Sequence, residues 1–476
     1  MARQSLEAWS VVTGINFIET HASQGTATGT VVEGPDAGSG TITAYSMSVG
    51  DDFQGSLTGT VDRDSVAVTL AAGERITISM SGDTSGGNAL DDPYLRLRDS
   101  SGNLLMESDD HIGSDSFIAF QAETAGTYYI QAGSFNDASL GDYAIEVRSG
   151  ISSPDIGFDD NSSRAYAQFW TSGSNIVSSQ INIEANWAGG ANRTDGYFYQ
   201  TYLHEIGHAL GLGHAGNYNG AATYGTDNDY LNDSWQASVM SYFYQTENTY
   251  VDASFAYVIT PQVADIIAIQ NLYGAPTANT GNDTYGNNGT TGTYLDSAMS
   301  LSNAVSFTVF DSGGIDTFDF ADFGFDQRMD LREEASSDLA GLSGNISIAR
   351  GTLIEYGKTG IGDDQLIGNT TDNGLNAGAG DDTLSGGNGH DALAGDAGAD
   401  DLAGDSGHDL LEGSTENDVL DGGGGNDALF GDDITLLELS NAFPTWTPPA
   451  DAQALLDAGD LLAVWDDILL DVYSIA

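Results

Sequence analysis

The chain has 476 residues, and its 70 Asp and Glu against 12 Lys and Arg give a formal net charge of −58 at pH 7. This charge excludes a nucleic-acid partner and an anionic membrane surface, because both would repel the chain. The sequence contains no cysteine, so disulfides and thiolate metal sites are excluded, and any metal must be held by His and carboxylates. There is no run of about 18 apolar residues, so membrane insertion is not expected. The length predicts two to four domains.

The first third of the chain contains a predicted helix, a linker and an all-β segment. Residues 4–13 place Leu6, Trp9 and Val12 on one helical face. Residues 22–42 are rich in Gly, Ser, Thr and Ala, which indicates a linker. From about 43 to 148, short alternating strands separated by turn residues favour a small β-sandwich. Four acidic residues of this segment either bind calcium or are ordinary surface carboxylates, namely Asp91, Asp92, Asp109 and Asp110.

Residues 204–214 read HEIGHALGLGH and form a candidate zinc site. On a helix, His204 and His208 share one face and can present two imidazoles to a single ion. Glu205 can act as a base beside that ion without binding it, and a glycine-permitted turn can bring His214 back as the third ligand. Three neutral imidazoles and one water make an open, catalytic zinc site. Only seven His occur in the chain, so a helix with incidental histidines is a poor alternative.

After a second predicted helix at 261–272, the chain repeats every nine residues, in eight units from 359–367 to 422–430. Glycines permit a tight turn, Leu points inward, and Asp supplies oxygens for Ca²⁺, so the repeat predicts a calcium-binding parallel β-roll. The predicted ligands are Asp364, Asp382, Asp391, Asp400, Asp409, Asp418 and Asp427, with Asn373 in the second unit. His390 and His408 occupy variable positions and are expected to be surface residues rather than ligands.

The two ends of the chain bear on export. The N-terminus lacks a basic start followed by an apolar core, so a standard signal peptide is not expected. Residues 450–472 are amphipathic and rich in Leu, Asp and Ala. This stretch is either an uncleaved C-terminal secretion signal or a core helix.

The zinc motif followed by Ser238-Val239-Met240-Ser241-Tyr242 resembles the serralysin family of bacterial metzincin proteases. The resemblance implies that Met240 is a hydrophobic floor beneath the metal. It also implies that Tyr242 is a further zinc ligand that moves away to stabilise the transition state, and that residues 166–169 form an edge strand for extended substrates. The chain departs from the family at Ala215, where Pro is usual. It also has an insertion that resembles the pre-peptidase C-terminal type of β-sandwich.

The segment between protease and roll resembles the link found in the same family. By that resemblance, calcium is bound by the carboxylates of Asp311, Asp316 and Glu355, assisted by the carbonyls of Asn282 and Gly313. Ordinary turn chemistry is the alternative for these carboxylates.

The predicted fold class is multidomain, α+β and all-β: a metzincin zinc-protease domain, an inserted β-sandwich and a C-terminal parallel β-roll. The expected domains are the protease (1–23 and 151–273, without the family's N-terminal part), linker plus sandwich (24–150), calcium-binding link (274–358), roll (359–433) and tail (434–476).

These features predict a secreted, calcium-stabilised zinc endopeptidase that hydrolyses internal peptide bonds of extracellular proteins. The expected cofactors are Zn²⁺ and Ca²⁺, and the expected partners are protein or peptide substrates and a type I secretion machinery; a monomer is expected. The alternative is a calcium-dependent adhesin or matrix-binding protein with an inactive protease-like domain.

Overall fold

The computed structural model describes residues 1–17, 27–59, 61–82, 88–108, 116–137, 139–149, 156–160, 164–172, 175–187, 193–457 and 461–469. The chain divides into two compact units, one of residues 18–190 and one of residues 1–17 and 191–476. The finer domain boundaries given above remain a prediction. Among the described residues, no helix has both the length and the apolar character needed to cross a membrane.

The unit of residues 18–190 contains two five-stranded sheets that share one core. Their strands are β1 Thr30–Val32, β2 Ser46–Met47, β3 Asp52–Leu57, β4 Ser65–Leu70, β5 Arg75–Gly82, β6 Pro93–Arg98, β7 Leu104–Ser108, β8 Ser116–Gln121, β9 Gly126–Ser134 and β10 Gly141–Ser149. One sheet has the order β1-β3-β10-β5-β8 and the other β2-β4-β9-β6-β7. Alternate residues of each strand face the core, as Tyr143, Ile145 and Val147 do on β10. The predicted sandwich is therefore present.

The same unit contains a three-stranded sheet with the order β11-β13-β12. Its strands are β11 Ile156–Asp159, β12 Tyr166–Ser172 and β13 Asn175–Asn182. β12 carries the residues predicted to pair with substrate, and it lies at the edge of the sheet with β13 as its neighbour.

In the other unit, three helices and a four-stranded sheet surround the histidine motif. The elements are α1 Ala2–Thr13, α2 Tyr197–Ala209, β14 Tyr257–Val258, α3 Val263–Tyr273, β16 Val305–Val309, β19 Ser336–Ser337 and β20 Ile346–Ile348. The sheet order is β14-β16-β20-β19. Trp9 of α1 is fully buried, and its indole N–H donates to the Leu203 carbonyl of α2 at 3.0 Å. The helices predicted at 4–13 and 261–272 thus form, with ends shifted by one or two residues.

From residue 284 onward, two parallel sheets form a β-roll. One has the order β15-β17-β21-β23-β25-β27-β29 and the other β18-β22-β24-β26-β28. The first contains β15 Thr284–Gly286, β17 Thr317–Asp319, β21 Tyr356–Lys358, β23 Gly374–Asn376, β25 Ala392–Ala394, β27 Leu410–Glu412 and β29 Ala428–Phe430. The second contains β18 Arg328–Asp330, β22 Gln365–Ile367, β24 Thr383–Ser385, β26 Asp401–Ala403 and β28 Val419–Asp421.

The nine-residue period explains this topology. Successive units alternate between the two sheets, so strand partners in one sheet are two units apart, as in the pairing of Leu366 with Leu384 and of Leu375 with Leu393. These leucines are at most 2% exposed and fill the space between the sheets. A single apolar side chain per unit is therefore enough to build a continuous core.

The C-terminal segment packs on the roll through short helices α4 Leu436–Ala442, α5 Ala452–Asp457 and α6 Leu461–Ile468. Leu462 and Trp465 of α6 share a buried cluster with Ala392 and Leu410 of the roll. The indole N–H of Trp465 donates to the His408 carbonyl at 2.5 Å. The described part of the amphipathic stretch is thus a core element, while its role as a secretion signal remains a prediction.

Candidate metal centre

Helix α2 and the turn after it bring the three histidines of the motif together. Their Nε2 atoms lie 3.1 Å apart for His204 and His208, 3.0 Å for His208 and His214, and 3.3 Å for His204 and His214. Gly211 has φ +105°, a conformation that side chains rarely adopt, and it lets the chain reverse after α2. The third imidazole thus returns to the first two, as the spacing predicted.

The opposite ring nitrogens are all held by backbone carbonyls. The Nδ1 atoms of His204, His208 and His214 lie 2.9, 2.8 and 2.8 Å from the carbonyl oxygens of Val239, Leu212 and Tyr218. A carbonyl can only accept, so each Nδ1 carries the proton and each Nε2 presents a lone pair to the other two. Because the protons are on the Nδ1 atoms, the three Nε2 atoms are free to act as Lewis bases toward one shared ion.

Burial keeps these imidazoles neutral. It lowers the pKa of His204 to about 3 and that of His214 to about 4, in both cases with a contribution from the neighbouring His208. Burial also lowers the pKa of His208. Metal ligands must be neutral imidazoles, so the site is in its binding form at neutral pH.

The triangle of nitrogens fits a zinc ion. Zinc–nitrogen bonds of about 2.0–2.1 Å in tetrahedral geometry separate ligand nitrogens by about 3.3 Å. The observed separations are 3.0–3.3 Å. Nδ1–H bonds to backbone carbonyls are also the usual way in which metal-binding histidines are oriented.

Glu205 is a buried residue that follows His204 on α2, and the Tyr242 ring lies beside the rings of His204 and His214. Burial raises the pKa of Glu205 to about 7, which is near the value suited to a general base at neutral pH. The Tyr242 ring centroid is 4.5 Å from that of His214 and 5.9 Å from that of His204. Burial is the main cause that raises the pKa of Tyr197, and the charges of Tyr242 and Glu205 raise it further. Both groups therefore lie near the Tyr197 hydroxyl.

The turn that contains Met240 (residues 238–242, the Met240 turn) is held by a residue that was not predicted from the sequence. Asp265 of α3 is 2% exposed and accepts bonds from the Ser238 hydroxyl at 2.6 Å and the Val239 N–H at 2.7 Å. The Ser238 hydroxyl in turn accepts from the Met240 N–H at 3.0 Å. Since a buried carboxylate needs several donors, Asp265 fixes the position of the turn. Its only sequence signal is an acidic residue in the first turn of a helix.

In the roll, the predicted aspartates line up in two ladders. One carboxylate oxygen of each accepts a backbone N–H from the preceding coil, as Asp391 accepts from Asn373 at 2.8 Å and Asp409 from Asp391 at 2.9 Å. The second oxygen is buried without a hydrogen-bond partner in Asp364, Asp382, Asp391, Asp400, Asp409 and Asp418. Such orphaned oxygens are suited to binding Ca²⁺, which requires oxygen ligands. Asp427 belongs to the ladder of Asp391 and Asp409, and its carboxylate accepts the Asp409 N–H at 3.2 Å.

His390 and His408 are less exposed than the surface position predicted for them. Both are half-buried, and their rings stack with centroids 5.2 Å apart. The Nδ1 atom of each accepts the N–H of the residue one coil later, His408 at 2.9 Å and Asn426 at 2.8 Å. The coil-to-coil spacing of 18 residues brings them together, which the variable position did not reveal.

The segment predicted as the link, 274–358, contains a second carboxylate group, and its strands β15, β17, β18 and β21 belong to the two roll sheets. Asp283, Asp311 and Asp316 can offer oxygens within 4.8 Å of one another. Asp316 also keeps a buried oxygen without a partner, and burial with the charges of Asp311, Glu355 and Asp283 raises its pKa to about 7.

The other predicted link residues lie around this group. Glu355 accepts the Asp316 N–H at 2.8 Å, the Asn282 side chain accepts the Ile315 N–H at 3.1 Å, and Gly313 donates to Asp311 at 2.9 Å. Asp283 was not predicted as a ligand, although it directly follows Asn282.

In the sandwich, a further group of three carboxylates comprises Glu33, Asp36 and Asp64. Asp64 is 1% exposed and has one oxygen without a partner, while the other accepts from the Tyr143 hydroxyl at 2.8 Å. This group was not predicted from the sequence, because its members come from separate segments. The candidates that were predicted do not take part: Asp91 and Asp92 belong to no such group among the described residues, and Asp109 and Asp110 lie outside them.

Comparisons with known proteins give two family matches and several curated relatives. Residues 275–429 match the family model described as Peptidase M10 serralysin C terminal, and residues 62–134 match the bacterial pre-peptidase C-terminal domain. Serralysin C of Dickeya chrysanthemi is 46% identical over 174 residues, which are 36% of each chain. Serralysin of Photorhabdus luminescens is 45% identical over 186 residues, 38% of each chain. Metallopeptidase AprA of Pseudomonas marginalis is 44% identical over 184 residues, 37% of this chain and 38% of its own.

The chain is thus similar to bacterial metalloproteases, which have a metal cofactor. More particularly, it is similar to the serralysins and contains a pre-peptidase C-terminal domain, so the resemblance predicted from the sequence is confirmed. The chain spans less than half of the length of the curated relatives it matches.

Proposed function

We propose that the chain is a zinc-dependent endopeptidase of the metzincin type, stabilised by calcium and acting on extracellular proteins. The observation that carries the proposal is the convergence of three Nε2 lone pairs, 3.0–3.3 Å apart, with each Nδ1 proton bonded to a carbonyl. Similarity to the serralysins supports the same reading.

His204, His208 and His214 would hold the ion, with Tyr242 beside them as a further ligand. Zinc, when bound, supplies Lewis-acid chemistry that polarises the scissile carbonyl and acidifies a water molecule. The imidazoles need no change of protonation state to bind it, because burial already lowers their pKa values.

Glu205 would serve as the general base and then as the general acid. Its carboxylate takes a proton from the attacking water while the water oxygen bonds to the scissile carbonyl carbon. It then gives that proton to the amide nitrogen as the C–N bond breaks. Tyr242 would donate its hydroxyl to the oxyanion that forms on the former carbonyl oxygen, and the contact between its ring and that of His214 supports this role.

Calcium would be held by the two aspartate ladders of the roll and by Asp311, Asp316 and Glu355 in the link, with Asp283 added to that set. The orphaned carboxylate oxygens support this assignment. Without a cation, these buried carboxylates repel one another, so folding and calcium binding would be coupled. Export by a type I system, an extracellular location and a monomeric state complete the proposal.

Hydrolysis of casein tests the proposal. Protein loaded with zinc and calcium should cleave casein, and Glu205→Gln should lower kcat by about 10²- to 10⁴-fold while still binding one zinc. Glu247→Gln is a matched control, because Glu247 is exposed and bonds to its own turn at the Tyr244 N–H. A wild-type chain that binds zinc yet cleaves no protein would instead support the matrix-binding alternative.

A further inference from the structure

Tyr218 makes two different contacts with the third histidine of the motif. Its backbone carbonyl accepts the His214 Nδ1–H at 2.8 Å. Its ring stacks on the His214 ring, with centroids 5.5 Å apart and planes at 26°. One residue therefore fixes both the rotation of this imidazole and the proton on its outer nitrogen.

The same tyrosine also contacts Tyr242. The two tyrosine ring centroids are 4.9 Å apart, and the Tyr242 hydroxyl accepts the Gly220 N–H at 3.5 Å. The loop is tightly folded here, because a Cβ at Gly216 would lie 2.6 Å from the Tyr218 ring. Tyr218 thus contacts both the metal-facing imidazole and the proposed oxyanion donor, whose own ring centroids are 4.5 Å apart.

A buried carboxylate holds Tyr218 in place. The Tyr218 hydroxyl donates to both oxygens of Asp233, at 3.1 and 3.2 Å, and Asp233 is only 2% exposed. The Asp233 main chain is itself fixed, because its carbonyl accepts from the Asn248 side chain at 2.9 Å. Burying a carboxylate is costly unless donors satisfy it, so this pair is strongly constrained to stay together.

We propose that Tyr218 and Asp233 form a positioning pair that sets the third metal ligand and the Tyr242 ring for catalysis. This inference rests on the proposed zinc site. Neither residue belongs to the group of three histidines that could hold the metal. Their effect passes through the His214 imidazole and the Tyr242 ring, as the partners of metal ligands usually act.

Tyr218→Phe tests the pair, because it removes the hydroxyl and keeps the ring and the carbonyl. Tyr224→Phe is the matched control: Tyr224 belongs to the same loop region, but its hydroxyl donates to the Leu231 carbonyl at 2.6 Å rather than to the Asp233 carboxylate. Zinc affinity is measured at equilibrium against a competing chelator, and kcat and KM for casein are measured on the loaded protein.

Tyr218→Phe should weaken zinc binding by about 10- to 100-fold and lower kcat with KM unchanged, while Tyr224→Phe should match the wild type in all three. Asp233→Asn should change zinc affinity and kcat in the same direction but by less, because it replaces a charge-assisted bond by a neutral one. Because the two residues act as one pair, the double variant should be no worse than Tyr218→Phe.

Wild-type zinc affinity and kcat in Tyr218→Phe would overturn the inference while leaving the proposed function standing. Additive losses in the double variant would overturn the pairing with Asp233. A wild-type chain that binds no zinc would overturn the proposed function and this inference together. If Tyr218→Phe does not fold, Asp233→Asn carries the test, because it keeps the tyrosine and an oxygen that accepts from it.

Discussion

Gly207 of α2 lies directly against Met240, so that a Cβ at position 207 would be 2.5 Å from the Met240 sulfur and 3.1 Å from the Trp9 ring. The close approach brings the helix with two of the motif histidines onto the Met240 turn. Glycine is unfavourable inside a helix, and this contact gives the reason for its presence.

Gly207→Ala is therefore expected to destabilise the protein, although alanine favours helix formation. Overpacking should cost about 1–3 kcal/mol, which outweighs the gain in helix propensity of about 1 kcal/mol over most of that range. Differential scanning calorimetry should show a lower unfolding temperature. Gly213→Ala is the control, because nothing lies within 4 Å of its Cβ position; an equal loss there would contradict the packing argument.

Asp265→Ala should destabilise the Met240 turn. The substitution removes the acceptor of the Ser238 hydroxyl and of two buried N–H groups, those of Val239 and Gln262. Because each unsatisfied buried donor costs about 1–3 kcal/mol, we expect a loss of at least about 2 kcal/mol. Thermal unfolding measures it, with the exposed Asp252→Ala as the control. An Asp265→Ala protein as stable as the control would show that the turn is held by other contacts.

In the roll, Asp400→Ala and Asp401→Ala should differ sharply although the two residues are neighbours. Asp400 is 1% exposed and has an orphaned oxygen, whereas Asp401 is exposed. We expect Asp400→Ala to reduce the number of bound calcium ions and to raise the calcium concentration needed for folding. Asp401→Ala should do neither. Isothermal titration calorimetry and calcium titrations followed by circular dichroism would show the difference, and equal behaviour would count against the ladder as the binding site.

The calcium-free roll should become more stable as the pH falls. Burial raises the pKa of Asp391 to about 8 and those of Asp382 and Asp409 to about 7. Backbone hydrogen bonds oppose this rise, and the charges of neighbouring aspartates add to it. A carboxyl whose pKa is higher in the folded state favours folding when protonated. Its stabilising effect is complete below its ordinary pKa of 3.8 and is lost as the pH rises through about 7–8.

Circular dichroism in the presence of a chelator checks this expectation. The β signal should increase between about pH 8.5 and pH 5 in calcium-free protein, and it should already be complete at the higher pH when calcium is present. Loss of structure over the same acidification without calcium would show that other groups dominate.

Local spacing made part of this molecule predictable. The interval of four residues between His204 and His208 determines a shared helical face, and the nine-residue period determines a roll with most of its leucines inside and its aspartates in register. Alternating apolar residues likewise determined the sandwich. Each of these follows from backbone geometry within one or a few turns, so the sequence by itself specifies them.

Tertiary structure alone decided which distant groups complete the sites. Tyr218 with Asp233, Ser238 with Asp265, and Asp64 with Glu33 and Asp36 meet because separate segments pack together. Periodicity carries no information about such pairs, since an aspartate that becomes buried looks the same in the sequence as one that stays on the surface. The cost of burying a carboxylate without partners is what selects them, and that cost exists only in the folded chain.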